Sequence, residues 1–148
     1  MATLTITLTE AVSMGDGSTD RGTTNIQTVT VDEVDHRIMD IGTTESQIIK
    51  FGSSNAAGTF ADDTVQHLRI TNLGPTNYIT LRIQLSDAEY FVKLHVEDHF
   101  ILGNSKMEAH EDGDSGINVS ATFANIDSIW AKANSAAVQL EYFIASVS

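Results

Sequence analysis

Leu68-Arg69-Ile70-Thr71-Asn72-Leu73-Gly74-Pro75-Thr76-Asn77-Tyr78-Ile79-Thr80-Leu81-Arg82-Ile83-Gln84-Leu85 decides the fold class of this chain. Ile79, Leu81, Ile83 and Leu85 share one parity and Thr80, Arg82 and Gln84 the other, the period of a strand with one buried face. The run ending in Ile70-Thr71 is also β-rich, and Asn72, Gly74, Pro75 and Asn77 supply turn chemistry between the two. The stretch therefore reads as a β-hairpin inside an all-β domain.

The same signature recurs on both sides of it. Leu4, Ile6 and Leu8 alternate with threonines, and 26–34 is a second β-rich run whose phase slips between Ile26 and Val29, as a bulge would make it. Further strands are expected at about 36–41, 47–51, 65–71, 78–85, 90–96, 99–102, 117–124, 127–132 and 137–146. Gly15-Asp16-Gly17-Ser18, Gly52-Ser53-Ser54-Asn55, Gly103-Asn104-Ser105 and Glu111-Asp112-Gly113-Asp114 supply turns. Only 126–137 shows helical spacing, in Ile126, Ile129, Trp130 and Ala133; the strict alternation of Val138, Leu140, Tyr142 and Ile144 after it favours a hairpin instead. Many short strands with turns between them predict an antiparallel β-sandwich of jelly-roll type.

The 148 residues suffice for one core that buries roughly 70% of the unfolded surface. No composition shift or internal repeat divides them, so residues 1–148 read as a single domain, with 1–47 open to an extended N-terminal arm that joins the sheet. There is no cysteine, hence no disulfide framework, thiol nucleophile or thiolate zinc site. The N-terminus lacks a signal-peptide pattern, and no apolar run approaches the roughly 18 residues of a membrane span. A net charge of -12, with 8 basic side chains scattered from Arg21 to Lys132, argues against nucleic-acid binding, which needs a basic patch.

Motifs that carry chemistry are few and incomplete. Gly113-Asp114-Ser115-Gly116 matches the tetrapeptide around the serine of chymotrypsin-like proteases, but the two barrels that hold its His and Asp partners do not fit in this length. His95, Glu97 and His99 would share a face on a continuous strand and could converge on a metal; Asp98 and Phe100 point to a turn that would scatter them. Asp16 with Asp20, and Asp112 with Asp114, lack the full spacing of a calcium loop. Asn118-Val119-Ser120 has only the form of a glycosylation acceptor. No catalytic, cofactor or metal residue is therefore assigned, and no enzymatic activity is expected. Trp130, Phe123, Tyr142 and Phe143 are the large aromatics near the C-terminus. Phe143 lies off the apolar parity of its strand, open either to a subunit interface or to burial between two layers.

Ile48-Ile49-Lys50-Phe51-Gly52, Gly58-Thr59-Phe60 and His67-Leu68-Arg69-Ile70-Thr71-Asn72-Leu73, followed by Tyr78-Ile79-Thr80-Leu81-Arg82-Ile83, together resemble small β-rich virion structural proteins of tailed bacteriophages. Phe91-Val92-Lys93-Leu94, Phe100-Ile101-Leu102-Gly103, Ile129-Trp130-Ala131-Lys132-Ala133-Asn134 and Leu140-Glu141-Tyr142-Phe143-Ile144 look like the closing strands of the same family. The likeness covers about two-thirds of the chain and consists of hydrophobic strand patterns. It implies a capsid decoration or cement protein, made in the host cytoplasm and placed on the capsid surface of the virion. The implied partners are the major capsid protein and further copies of the chain, with a trimer favoured. The residues before Ile48 match nothing in that family. The same sandwich would serve a tail or neck component, a carbohydrate- or receptor-binding module, or, if His95, Glu97 and His99 met, a cupin-like metalloenzyme.

Overall fold

The computed structural model describes residues 1–15, 21–54, 56, 58–86, 88–103, 108–109 and 124–147. Among them are twelve strands and no helix: β1 (Ala2–Val12), β2 (Arg21–Val31), β3 (Glu33–Ile41), β4 (Ser46–Gly52), β5 (Thr59–Ala61), β6 (Val65–Asn72), β7 (Ile79–Leu85), β8 (Glu89–Leu94), β9 (His99–Leu102), β10 (Glu108–Ala109), β11 (Ala124–Ala133) and β12 (Val138–Ser146). One sheet runs β5-β4-β11-β7-β8 with β10 beside β11; a second runs β3-β12-β6-β9. All pairings are antiparallel except β4 with β5. The two sheets pack face to face as a β-sandwich. Among the described residues β1 and β2 pair only with each other, in one unbroken register from Ala2↔Val31 to Val12↔Arg21.

The alternation read from the sequence makes the core. Ile79, Leu81 and Ile83 of β7 are fully buried and Leu85 nearly so, beside Ile49 and Phe51 of β4 and Ile126, Ile129, Ala131 and Ala133 of β11. Opposite them lie Ile41, Val65, Leu68, Ile70, Val138, Leu140, Tyr142 and Ile144 from the second sheet. Burial of this apolar surface is the main force holding the layers together.

Two expected hairpins are arches instead. β6 belongs to the four-stranded sheet and β7 to the other, so 68–85 carries the chain from one layer to its partner; β11 and β12 are related in the same way. Local alternation specifies a strand and its buried face but not the sheet it joins, because both layers bury one face of every strand. The helical spacing of 126–133 also has a β explanation. The register of β11 slips between Ile126 and Ser128 against β7 and between Ile129 and Trp130 against β4. The first slip adds Asp127 to β11, so Ile126 and Ile129 both reach the core although three apart, and the second adds Ile48 to β4. The expected slip within 26–34 is absent from the β1–β2 ladder, and that run divides at Asp32 between two sheets. β8 ends at Leu94, leaving Val96 exposed beyond it. The strand expected at 117–124 lies outside the described residues apart from Ala124.

The β6–β7 arch is held by Asn72, which is fully buried. Its Nδ2 donates to the carbonyls of Asn77 (2.9 Å) and Leu94 (3.1 Å), and its Oδ1 accepts from Gly74 N at 2.8 Å. Its backbone N donates to Asp98 O and its carbonyl accepts from Glu97 N, both at 3.1 Å. Gly74 is required by close approach, since a Cβ there would stand 2.4 Å from Val138 Cγ1. Urea unfolding should show Leu81→Ala losing about 2–5 kcal/mol through the cavity it leaves, against less than about 1 kcal/mol for Thr80→Ala on the opposite parity. Asn72→Leu should lose about 3 kcal/mol or more, because it orphans three buried backbone groups at once.

Candidate functional site

His95, Glu97 and His99 do not converge. The chain turns over 96–98, with Glu97 at a left-handed φ of 64°. Asp98 Oδ2 accepts from His95 N at 2.8 Å. The His95 ring lies 6.1 Å from that of Tyr78, while His99 opens β9 and places Nδ1 3.0 Å from Thr71 Oγ1. Among the described residues no three His, Asp or Glu side chains are grouped to hold a metal ion. Gly113-Asp114-Ser115-Gly116, Asp16 with Asp20, Asp112 with Asp114, Asn118-Val119-Ser120 and Phe123 lie outside the described residues.

What the fold brings together lies on the outward faces of the two sheets. On the four-stranded sheet, the pairings Glu141↔Ile38, Phe143↔His36, Glu141↔Thr71, Phe143↔Arg69, Arg69↔Ile101 and Thr71↔His99 put these side chains on one surface. A chain of hydrogen bonds crosses all four strands. Glu141 bonds His36 Nε2 at 2.6 Å and Arg69 Nη1 at 2.8 Å, Arg69 also donates to Thr71 Oγ1, and Thr71 meets His99. The Arg69 hydrogen bond holds the Glu141 carboxyl below the usual carboxylate range, with help from His36 and against the opposing pull of burial. On the inward face of the same strand, burial and a 2.9 Å hydrogen bond to Asp35 push the Tyr142 phenol well above its ordinary value.

Phe143 occupies the middle of this surface, half-buried, with the rings of His36 and His67 each centred 6.2 Å away. The base of the β1–β2 arm lies over the same surface. Leu4 and Ile6, on one parity of β1, are half-buried, and with Phe143, Ile101, Arg69 and His67 they line a groove of about 600 Å3. Among the described residues no acidic side chain lines it, although the chain carries 20. His67 is only 5% exposed, and its Nδ1 is buried without a hydrogen-bond partner. Burial, and then the charge of Arg69, lower its pKa from the ordinary 6.5.

The rest of the arm stands clear of the sandwich. Ile26 is 68% exposed and Leu8 and Val12 about half exposed. Its outward parity presents Thr3, Thr5, Thr7 and Thr9 on β1 against Thr30, Thr28, Ile26 and Thr24 on β2.

The outward face of the other sheet carries a second preorganised group. Arg82 is paired across strands with Trp130 on one side and Phe91 on the other. Its guanidinium centre sits 4.9 Å from the Trp130 ring centroid. Glu45 clamps it in a fork, Nε to Oε1 at 2.7 Å and Nη2 to Oε2 at 3.1 Å, and Glu89 adds a contact at 3.2 Å. Lys93 Nζ lies 3.8 Å from the neighbouring Tyr78 ring centroid, and Phe91 is 60% exposed. Both outward faces follow from parity once the sheet assignments are known. The buried His67 had no signal in the sequence, because a polar residue on an outward parity reads as solvated.

Comparison with protein-family models, with curated proteins and with solved structures returns no match for this chain.

The folded state disfavours protonated His67, so the unfolded chain takes up its proton first on acidification. The stability contributed by neutral His67 is thus complete above pH 6.5 and is lost as pH falls through the lowered folded value. Urea midpoints measured from pH 7.5 to 5 should fall with pH in the wild type, and the slope should flatten in His67→Phe.

Proposed function

We propose that this chain is a structural virion protein, a capsid decoration or cement protein that binds across neighbouring major capsid subunits on the head of a tailed phage as a homo-oligomer, with a trimer favoured. The observation that carries the reading is the β1–β2 arm. An isolated two-stranded hairpin is marginally stable in water, yet here eleven residue pairs form a ribbon whose outer half has exposed apolar side chains and no other strand beside it among the described residues. Such a ribbon gains from a second surface, and a neighbouring subunit supplies one. Val34 and Ile38, both more than half exposed on β3, add apolar area beside it. The resistance to internal pressure is mechanical: buried apolar and hydrogen-bonding area across subunits stabilises the assembled state by mass action.

A second reading, a carbohydrate- or receptor-binding module, is favoured by the other outward face, where exposed Phe91 borders Arg82, Trp130 and Tyr78 with Glu45 alongside. An aromatic face flanked by fixed charged groups suits a sugar ring.

Light scattering and head binding separate the two. The wild type should scatter as three chains at tens of micromolar and load onto heads lacking it. A variant without residues 1–30 should keep a cooperative urea transition, because the core lies in β3–β12, while losing both self-association and loading. A wild type that stays monomeric and does not load, but binds glycans in a Phe91-dependent way, would replace the first reading with the second.

A further inference from the structure

We propose that the groove between the arm and the four-stranded sheet is a binding site for one small amphipathic carboxylate, an inference that stands apart from whether the chain assembles on a capsid. Its volume, about 600 Å3, falls in the range of small-molecule sites, which are mostly apolar with a few convergent polar groups. The walls meet that description. Leu4 and Ile6 approach from the arm, and Ile101 and Phe143 from the sheet.

The polar groups select the headgroup. His67 is more than nine-tenths buried and lines the groove, yet its Nδ1 has no hydrogen-bond partner. Buried nitrogens of folded proteins nearly always have a partner, so this one points to a group that arrives from outside the chain. Arg69 stands two residues along the same outward face. Its Nη1 serves Glu141 and Thr71, but a guanidinium has five N–H donors, so capacity remains for a bound oxyanion. His99, with Nδ1 engaged by Thr71, and the neutral Asn25 and Gln27 of the arm add to the polar lining.

The charge distribution points the same way. Among the described residues neither Glu141 nor any other acidic residue lines the groove, in a chain whose net charge is -12. A carboxylate there would accept from Arg69 and from the Nδ1–H tautomer of neutral His67, without a proton being taken up. A cationic amphiphile of equal length could donate to Nδ1 in the other neutral tautomer, but it would place a second cation beside Arg69. The binding of an apolar tail would also cover Leu4 and Ile6, which the arm alone leaves half-exposed.

Isothermal titration with dodecanoate and with dodecylamine tests this, using the full chain, His67→Phe, Arg69→Met and, on the opposite sheet, Phe91→Ala. The expected result is one equivalent of dodecanoate bound saturably, dodecylamine weaker by about tenfold or more, and a loss of about tenfold or more in each of His67→Phe and Arg69→Met, with Phe91→Ala unchanged. Nitrogen NMR of the unsubstituted protein provides a readout that does not depend on the variants folding: the His67 Nδ1 resonance should shift on addition of dodecanoate. A silent Nδ1 resonance, equal binding of the amine, or several equivalents bound regardless of the substitutions would overturn the proposal.

Discussion

One buried amide ties together the parts of the sandwich that apolar burial alone would leave free to slide. Every donor and acceptor of Asn72 is used, toward the β6–β7 arch, the end of β8 and the turn before β9. Hydrophobic contact between two sheets is non-directional, so it sets their separation but not the path of the chain between them. The hydrogen bonds of a buried amide are directional and costly to leave unmade, and they fix that path. Gly74 and Val138 then close over the same corner, leaving no room for a side chain. The positions of Thr71 and His99 on the outward face follow from where this corner starts and where the turn at 96–98 ends.

The legible part of the fold was the part governed by period two. Ile79, Leu81, Ile83 and Leu85, and later Val138, Leu140, Tyr142 and Ile144, are buried as their alternation requires. What was not legible is nonlocal. Whether β7 pairs with β6 or with β11 depends on partners more than forty residues away, and the turn at Asn72–Asn77 suits an arch between layers as well as a hairpin within one. The bulge at Asp127 misled in a specific way, since it moves the inward parity of β11 by one and makes the strand imitate helical spacing at Ile126 and Ile129. Of the candidate site, the outward parity of Arg69, Glu141, Phe143 and Arg82 was readable. The shielding of His67 was not, because it depends on an arm tens of residues away in sequence lying over β6.

The two outward faces differ in physical character although one core lies behind both. On the five-stranded path, charges of both signs are locked to one another around Arg82, so the surface is rigid and already satisfied. On the four-stranded sheet the acid is confined to the β3 side, at Glu141 with His36, while the β6–β9 side offers cationic and imidazole groups beneath an apolar cover. Among the described residues, the repulsive charges of this acidic protein lie around that concave surface rather than in it.

The placement of β12 between β3 and β6 carries a kinetic consequence. Among the described residues β3 has no neighbour in its sheet other than β12, and the ladder joins Glu33 to Ser146, more than a hundred residues apart. Closing so long a loop is slow compared with zipping β1 against β2, whose partners are separated by at most 29 residues between Ala2 and Val31. Contact order therefore favours the ribbon closing before the β3–β12 ladder, and until β12 is in place the facing edges of β3 and β6 are unpaired. Those edges are templates for another chain. A ribbon lying over the β6 side of the unfinished sheet would cover Ile101 and the outward face of β6 until β12 slots between its neighbours.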